Sequence, residues 1–344
     1  MNVFGRFRQL ASTLACCSIS GLLGLGLTTI VLSDETRPKR CEIIPLPDNQ
    51  VAMQIDGIEK TRWHFDRKYP RPFFYPLVSP DGASLTRMGH PGASNHDHHR
   101  SVWFAHHKVD GFDFWSEQGK TQIRQKMWYD YRDGDDEAVL AVACEWLDPT
   151  GRVILEQELV AALRPEFGDE HSLELQISLR PGPHAKTLEL EKTNFGLLAV
   201  RVAKSLSSAF GDGVLTNDIG IEREANLFTK PSKWMDYSGS VSIDTGPTRR
   251  MTQAGITYYD HPSNPRYPSH WHVREDGWMG ASFCLNEGFT LNSDSPLVLR
   301  YLLYCHRGLY DAPQAAQMHK LFADRRMLVV EKSQQPHRQY EVKR

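Results

Sequence analysis

The stretch Ser172-Leu173-Glu174-Leu175-Gln176-Ile177-Ser178-Leu179 carries the clearest structural signal in the chain. Its leucines and isoleucine alternate strictly with polar residues, which is the period-two pattern of a strand that buries one face. Helical periodicity is scarce. The best candidate covers residues 311–325, where Ala312-Pro313 suits the first turn of a helix. The chain is therefore predicted to be built mainly from strands.

Other β-prone runs lie on both sides of this stretch, and turn signals such as Asp148-Pro149-Thr150-Gly151 separate them. The runs cover residues 51–55, 138–146, 153–160, 197–202 and 297–306. Short strands that alternate with turns at this spacing are typical of antiparallel sandwiches. We predict an all-β fold, a large antiparallel β-sandwich made of two packed sheets.

Length and charge limit the classes of function. The 344 residues are enough for one large β domain or two ordinary ones. Because no break in composition divides the body, we predict a single domain over residues 45–330, with a linker at 34–44 and a polar tail at 331–344 that frays. The 40 basic residues against 42 acidic ones leave a net charge of −2. Nucleic acid is therefore not an expected partner.

The N-terminal segment has the composition of a targeting sequence. Arg6 and Arg8 precede an uncharged stretch over residues 9–33. We predict a secretory signal peptide or an N-terminal membrane anchor within residues 1–33, with residues 9–32 as the anchoring part. Either interpretation places the folded body outside the cytoplasm, periplasmic or secreted, and limits membrane contact to this segment.

Four cysteines lie beyond the targeting segment. They are Cys41, Cys144, Cys284 and Cys305. No C-x-x-C motif is present, so a cysteine zinc site is not predicted. Export would permit one or two disulfides, and the spacing leaves their pairing open.

Histidine is concentrated in one part of the chain. Six of the fifteen histidines lie between His90 and His107, and three of them belong to the run His96-Asp97-His98-His99-Arg100. Imidazole is the side chain best suited to bind a transition metal or to move a proton near neutral pH. The preceding residues 89–95 are loop-forming. The run is therefore predicted where a loop enters a strand, a position that binding sites favour.

If this run is a strand, its alternate residues share one face. His96, His98 and Arg100 then lie together, and His106 has the same parity. We predict His96, His98, His99 and His106 as catalytic residues. A divalent transition metal held by His96, His98 and His106 is the alternative use of the same residues.

Aromatic and acidic residues follow the histidines. Trp103 and Trp115 offer flat faces on which a sugar ring can stack. Asp113 can orient a histidine or contact a substrate. We predict Arg100, Trp103, Asp113 and Trp115 as substrate-binding residues.

A second polar and aromatic group lies downstream. Residues 261–274 contain three His, two Arg, one Trp and three Pro. Prolines at this density exclude a regular central strand, so we predict a rigid loop that binds an anion or a polyol. His272 is predicted to be catalytic. The predicted substrate-binding residues of this half of the chain are Lys233, Asp236, His261, Asn264, Arg266, Trp271, Arg274, His306 and Arg307.

Several motifs occur in an order that resembles one bacterial family. They are His96-x-His98-His99-Arg100-Ser101-Val102-Trp103-Phe104-x-His106, Gly111-x-Asp113-Phe114-Trp115, Lys192-Thr193-Asn194-Phe195-Gly196, Lys233-Trp234-x-Asp236-Tyr237, His261-Pro262-x-Asn264-Pro265-Arg266, Trp271-His272-Val273-Arg274 and His306-Arg307-Gly308. Over about residues 45–325 the chain resembles a family of unknown function, common in planctomycetes, whose members carry the label "methane oxygenase PmoA". The resemblance implies an exported β-sandwich similar to the galactose-mutarotase-like supersandwich, with genes often found among those for sugar catabolism.

The label itself does not predict the activity. A particulate methane monooxygenase subunit is a bundle of transmembrane helices. No segment of this chain after the N-terminus approaches the roughly 18 apolar residues of a spanning helix. The resemblance therefore implies a fold and an export route, and assigns no catalytic role to a residue.

Three hypotheses about function follow. The first is a carbohydrate-active enzyme, of the epimerase, lyase or hydrolase type, that acts on a small sugar or oligosaccharide through histidine acid-base chemistry. The second is a metal-dependent oxygenase or hydrolase that uses His96, His98 and a third ligand. The third is a non-catalytic carbohydrate-binding module. The chain lacks G-x-G-x-x-G, a Walker loop, H-E-x-x-H and G-x-S-x-G, so nucleotide-binding folds and α/β-hydrolases are not expected.

Overall fold

Strands make up most of the regular structure. The computed structural model describes residues 37–90, 92–244 and 248–344, and about 51% of the chain is strand and 8% helix. The prediction of an all-β fold is confirmed. The predicted signal or anchor at 1–33, with its anchoring part at 9–32, lies outside the described residues. No helix within the described ranges is long and apolar enough to cross a membrane.

The elements are numbered in chain order over the described residues. The strands are β1 (Cys41–Leu46), β2 (Gln50–Ile55), β3 (Ile58–His64), β4 (Phe73–Leu77), β5 (Val102–His106), β6 (Gln122–Arg132), β7 (Ala138–Leu147), β8 (Val153–Pro165), β9 (His171–Pro181), β10 (Thr187–Leu190), β11 (Gly196–Arg201), β12 (Val214–Asn217), β13 (Trp234–Asp244), β14 (Arg249–Asp260), β15 (Trp271–Arg274), β16 (Trp278–Ala281), β17 (Phe289–Asn292), β18 (Leu297–Arg307), β19 (Val329–Lys332) and β20 (Tyr340–Lys343). The α-helices are α1 (Glu224–Leu227) and α2 (Ala312–Asp324), and short 3₁₀ turns cover Ser94–His96 and Lys204–Leu206.

Two antiparallel sheets of eight strands each form the sandwich. The first sheet has the order β1-β2-β3-β4-β5-β11-β16-β15, and the second has the order β12-β13-β14-β18-β9-β8-β7-β6. Two-stranded sheets, β10-β17 and β19-β20, accompany them. Side chains from both large sheets meet in one apolar core. There the rings of Phe104 and Trp146 lie 6.2 Å apart, and the Tyr258 hydroxyl donates to the Leu198 carbonyl at 3.2 Å.

The alternating stretch 172–179 lies in β9, at the centre of the second sheet between β18 and β8. Its leucines and isoleucine face the core, as the pattern predicts. The opposite face is also buried, since Glu174 is 0% exposed and Gln176 is 3% exposed. A period-two pattern therefore located the strand but did not reveal that both of its faces are covered.

Helix α2 and the β19-β20 hairpin cover the outer face of the second sheet. The helix begins at Ala312, where the Asp311 carboxylate accepts a hydrogen bond from the Gln314 N–H, and it ends at Asp324. It therefore lies close to the predicted 311–325. Its apolar side packs against strand residues of that outer face; the cluster contains Trp234, Tyr259, Leu302, Tyr304, Ala315, Met318 and Phe322.

Two predicted boundaries need correction. Residues 41–44 of the predicted linker at 34–44 belong to β1, which pairs with β2 along its whole length. The predicted frayed tail at 331–344 instead contains most of the β19-β20 hairpin. Val342 is 1% exposed, and Arg344 forms ion pairs with Glu137 and Glu174. The tail is ordered because the Arg344 guanidinium pairs with the Glu137 and Glu174 carboxylates.

The four cysteines of the body are free thiols and are buried. Burial raises the pKa of Cys41 to about 11 and the pKa values of Cys144 and Cys284 to about 12. At neutral pH these side chains are protonated and pack as small apolar groups.

Candidate functional site

A pocket lies on the outer face of the first sheet, and strand register explains its position. Across β5, β11, β16 and β15 the register aligns Trp103, Ala199, Gly280 and His272 in one row. The next row contains Arg201, Trp278 and Arg274. Side chains on one face of a sheet share a row in this way. The small residues at the middle of the first row leave a depression between larger side chains.

The pocket has a volume of about 410 Å³, which is within the range of roughly 300–1,000 Å³ that small-molecule sites occupy. Its walls come from the turn before β5, the loop after β5, and the ends of β11, β15 and β16. The lining residues are Asn95, His96, His98, His99, His107, Trp115, Ser116, Gln118, Phe195, Arg201, His272, Arg274, Asp276 and Trp278.

Histidines of the turn before β5 form one wall. The ring centroids of His98 and His99 lie 4.3 Å apart, those of His96 and His99 lie 5.0 Å apart, and those of His96 and His98 lie 6.1 Å apart. Buried Arg71 holds the turn in place. Its guanidinium donates to the carbonyls of His98 at 2.6 Å and of Phe114 at 3.1 Å, and so ties this turn to the loop that presents Trp115.

Trp115 and Trp278 form the floor, and Trp103 packs against both of them. The rings of the three tryptophans lie between 5.1 and 5.4 Å from one another. The ring of His99 lies 4.6 Å from that of Trp278, and the ring of His272 lies 5.5 Å from it. The floor therefore joins the histidines of the β5 turn to His272 on β15. We refer to His96, His98, His99, His272, Trp115 and Trp278 as the pocket cluster.

Burial keeps the four histidines of the pocket cluster uncharged at pH 7. Burial, together with the nearby Arg71 guanidinium, lowers the pKa of His98 to about 4. Burial lowers the pKa of His272 to about 4 and also lowers the pKa values of His96 and His99. A neutral imidazole can donate one hydrogen bond, accept another, or take up a proton.

The tautomer of His272 follows from its partner. Its Nδ1 lies 2.9 Å from the carbonyl oxygen of Asn194. A carbonyl oxygen can only accept, so Nδ1 carries the proton and Nε2 keeps its lone pair. His272 is therefore oriented as a proton acceptor on the pocket wall.

The charged groups of the pocket wall are paired. Arg201 donates to both carboxylate oxygens of Asp276, at 2.7 and 3.1 Å. Arg274 donates to Glu224 at 2.5 Å. Asp276 also lies 3.0 Å from the ring of His90. The wall thus presents neutral imidazoles, amides and aromatic rings, with its charges satisfied within the protein.

The part of the chain that carries this pocket matches a known sequence family. The profile of a family of unknown function, DUF6807, matches residues 50–322. The chain belongs to the DUF6807 family. The match covers every strand that carries the pocket, and nothing in it links the chain to the PmoA name. No curated protein matches the chain.

Six of the residues predicted from sequence line the pocket of this DUF6807 protein. They are His96, His98, His99, Trp115, His272 and Arg274. Trp103 lies directly beneath the floor. Arg100 and Asp113 support the walls: Arg100 pairs with Glu117 through two hydrogen bonds, and Asp113 accepts from the backbone N–H of Trp115 at 2.7 Å.

His106 does not join the other histidines, which corrects the predicted catalytic and metal-binding role. The run from His96 to Arg100 is a 3₁₀ turn and irregular chain, so strand parity does not apply before Val102. His106 is 0% exposed, and its Nε2 lies 2.9 Å from the Glu191 carbonyl oxygen. Among the described residues, no group of three or more His, Cys, Asp or Glu side chains is arranged to hold a metal ion.

The downstream residues also lie outside the pocket, which corrects their predicted contact with substrate. This set is Lys233, Asp236, His261, Asn264, Arg266, Trp271, His306 and Arg307. The His261 ring accepts from Arg300 at 2.9 Å, and Arg300 also donates to Glu174 at 2.8 Å. His306 pairs with Asp236 at 2.8 Å. These groups bind each other on the outer face of the second sheet.

Most of the other downstream residues also form hydrogen bonds or ion pairs with groups of the protein. Asn264 donates to Asp260 at 2.7 Å, and Trp271 donates to the Ser232 carbonyl at 2.8 Å. The Arg266 guanidinium donates to three backbone carbonyls, those of Phe283, Glu287 and Gly288. Arg307 pairs with Asp81 and Asp169, and Lys233 is exposed away from the pocket lining.

Sequence reasoning missed several residues that build the pocket, and four of them shape it most clearly: Arg71, Arg201, Asp276 and Trp278. Arg201 and Trp278 share a row across β11 and β16, and Asp276 lies in the turn between β15 and β16. Arg201 could have been identified from the sequence, because it is a charged residue at the end of the apolar run 197–202. Arg71 stands between two prolines and gave no signal of its role.

Proposed function

We propose that this protein is a carbohydrate-active enzyme whose pocket binds a neutral reducing sugar and catalyses an epimerase-type proton transfer. The observation that carries the proposal is the pocket cluster itself: four neutral imidazoles beside tryptophan faces in a pocket of about 410 Å³. Sugar rings pack their C–H faces on aromatic rings. Their hydroxyls donate and accept hydrogen bonds, as neutral imidazole and amide groups do.

The charge pattern favours a neutral sugar over a uronate. A carboxylate-binding site needs an arginine with donors to spare. In this pocket Asp276 holds both terminal nitrogens of Arg201, and Arg274 donates to Glu224 through one of its nitrogens. A sugar carboxylate at Arg274 would therefore lie beside the Glu224 carboxylate, and the two negative charges would repel each other.

The same pattern favours epimerisation over hydrolysis. Most glycoside hydrolases use two carboxyl groups on opposite sides of the bond that is cleaved. Asp276 is the only carboxylate among the described residues that line the pocket, and it is paired with Arg201. Imidazoles are the remaining groups able to move a proton.

Ring opening of a reducing sugar assigns a role to one histidine. His272 Nε2 removes the proton of the anomeric hydroxyl, and the electron pair of that O–H bond forms the aldehyde carbonyl. The bond between the anomeric carbon and the ring oxygen breaks, and the ring oxygen takes a proton from solvent. For closure, this hydroxyl attacks the other face of the carbonyl and loses its proton to solvent. The former carbonyl oxygen takes back the proton held by His272, which gives the other anomer.

The test is the rate of anomer exchange, measured by NMR exchange spectroscopy with the full-length protein. The panel is glucose, galactose, mannose, xylose, rhamnose and glucuronate. We expect acceleration for at least one neutral sugar, and a loss of about 10²- to 10⁴-fold in that acceleration in His272→Gln. His184→Gln, an exposed histidine in the connection between β9 and β10, is the matched control and should match the wild type.

Two results would contradict the proposal. If no sugar of the panel changes the tryptophan fluorescence or the exchange rate, the pocket does not bind a sugar. If a sugar binds with no effect on exchange, the protein is a non-catalytic sugar-binding module.

A further inference from the structure

An exposed phenylalanine, Phe210, lies outside the pocket lining and is connected to it by ring contacts through His90. Phe210 is 42% exposed and lies in the connection between the 3₁₀ turn Lys204–Leu206 and β12. The backbone N–H of the preceding Ala209 donates to the Glu275 carbonyl at 2.8 Å. Because Asp276 follows Glu275 and lines the pocket, this hydrogen bond fixes Phe210 beside the pocket wall.

The contacts of Phe210 lead directly into the pocket. Its ring lies 5.6 Å from the ring of His90, and the Arg87 guanidinium lies 5.9 Å from its centroid. The His90 ring lies in turn 5.3 Å from the ring of His96. A continuous path of rings therefore runs from the pocket cluster over His90 to Phe210.

The pocket wall supports this ring from below. Arg87 donates to the Asp276 carbonyl at 2.8 Å, while the Asp276 carboxylate binds both His90 and Arg201. One residue of the wall thus positions both groups on which the phenylalanine rests. Single exposed apolar residues are common on protein surfaces. Phe210 differs from such residues in its position, because its ring contacts connect it to a pocket whose lining is rich in aromatic side chains.

We propose that Phe210 forms a second sugar subsite, so that the ligand is a disaccharide or a longer oligosaccharide whose reducing end enters the pocket. This inference rests on the proposed function. The reducing ring lies against Trp115 and Trp278, and the following ring stacks on Phe210 outside. The outer stacking contact adds affinity without taking part in proton transfer.

The experiment compares matched sugars by isothermal titration calorimetry of the full-length protein. The pairs are glucose with cellobiose, glucose with maltose, xylose with xylobiose, and mannose with mannobiose. For at least one pair we expect the disaccharide to bind the wild type about tenfold more tightly than the monosaccharide. Phe210→Ala removes that difference and leaves monosaccharide affinity within about twofold of the wild type.

Phe167→Ala is the matched control, because Phe167 is 57% exposed in the turn between β8 and β9 of the second sheet. It should behave as the wild type for every pair. Thermal melts of both variants verify folding. Equal affinity for the two members of each pair, or an unchanged preference in Phe210→Ala, would overturn the subsite and leave the proposed function standing. No binding of any of these sugars by the wild type would overturn both.

Discussion

The two outer faces of the sandwich both carry histidine and arginine, but they use these residues differently. On the first sheet, the pocket cluster lines an open depression, and imidazole nitrogens such as His272 Nε2 keep their lone pairs. On the second sheet, Glu174 binds Arg300 and Arg344, and Arg300 also binds His261. A separate pair on the same face joins His306 to Asp236. We call all of these residues together the outer-face network. The comparison shows that amino-acid composition alone does not distinguish a ligand-binding site from a group of residues that stabilises the fold.

The two faces differ because helix α2 and the β19-β20 hairpin pack over the second sheet, whereas the pocket on the first sheet is open. A buried charge is tolerated only when a partner of opposite charge and further hydrogen bonds compensate for lost hydration. Elements pack over the second sheet, and the charged side chains of the outer-face network are paired with opposite charges there. The histidines of the pocket cluster are uncharged, so burying them without an ionic partner costs far less than burying an unpaired charge.

The largest expected effect is on the stability of the outer-face network. Glu174→Ala leaves Arg300 without its buried counter-charge and leaves Arg344 with Glu137 alone, and it should lower the free energy of unfolding by about 3–5 kcal/mol. His98→Ala in the pocket should cost less than about 1 kcal/mol, because its ring is partly exposed. Urea denaturation of both variants measures the difference, and equal losses would refute the distinction between the two faces.

The pH dependence of stability sharpens the comparison. The pKa of His272 is lowered to about 4 in the folded protein, below the unfolded value of about 6.5. The unfolded chain therefore binds this proton first, and stability falls by up to about 3 kcal/mol as the pH drops from 6.5 towards 4. His272→Gln should flatten this acid limb in denaturation curves measured from pH 4 to 9.

The contribution of His306 to stability should depend on pH in the opposite direction to that of His272. Burial alone would lower its pKa, but the Asp236 carboxylate outweighs burial and raises the pKa above the ordinary value. Its contribution to stability is complete below the unfolded pKa and is lost as the pH rises through the folded pKa. His306→Gln should therefore reduce stability most at low pH. A variant that loses most stability at high pH would contradict the Asp236 pairing.

A smaller effect is expected on ligand affinity. Trp115→Phe keeps an aromatic ring in the floor but shortens the face offered to a sugar, and it should weaken binding by about 1 kcal/mol, or roughly fivefold. Trp271→Phe is the comparison, because Trp271 is a buried tryptophan of β15 that lies outside the pocket lining. Its effect should appear in stability and not in affinity, as calorimetry and thermal melts of the two variants can show.

The smallest effect belongs to Lys233. Its side chain is exposed and lies outside the pocket lining. Lys233→Ala should change neither the free energy of unfolding by more than about 0.5 kcal/mol nor sugar affinity by more than twofold. A larger loss of affinity would show that the ligand extends to this side of the molecule.

The sequence predicted the fold class because alternation at 172–179 is a local property of a strand. It also located part of the site, since His96, His98 and His99 are adjacent in the chain. Composition also marked His272 as catalytic, but its contact with these histidines depends on the register of β15, β16 and β11 across long separations, which no local pattern reveals. The role of Arg71 depends on tertiary contacts alone.

The errors have a common physical origin. His106 was grouped with His96 by strand parity, but the chain between them leaves the sheet at the 3₁₀ turn. His261, Arg266 and Arg307 resemble ligand-binding residues in composition, yet protein groups already form hydrogen bonds or ion pairs with them. Whether a polar residue is already satisfied is decided by packing, which the sequence does not display.

The most direct test of the central claim is a crystal structure with the oligosaccharide that binds most tightly. We predict one sugar ring against Trp115 and Trp278, with hydroxyls within hydrogen-bond distance of His98 and His272. The outer-face network should be unchanged. A sugar bound beside His261 or Arg266, with the pocket empty, would contradict the assignment of the site to the first sheet.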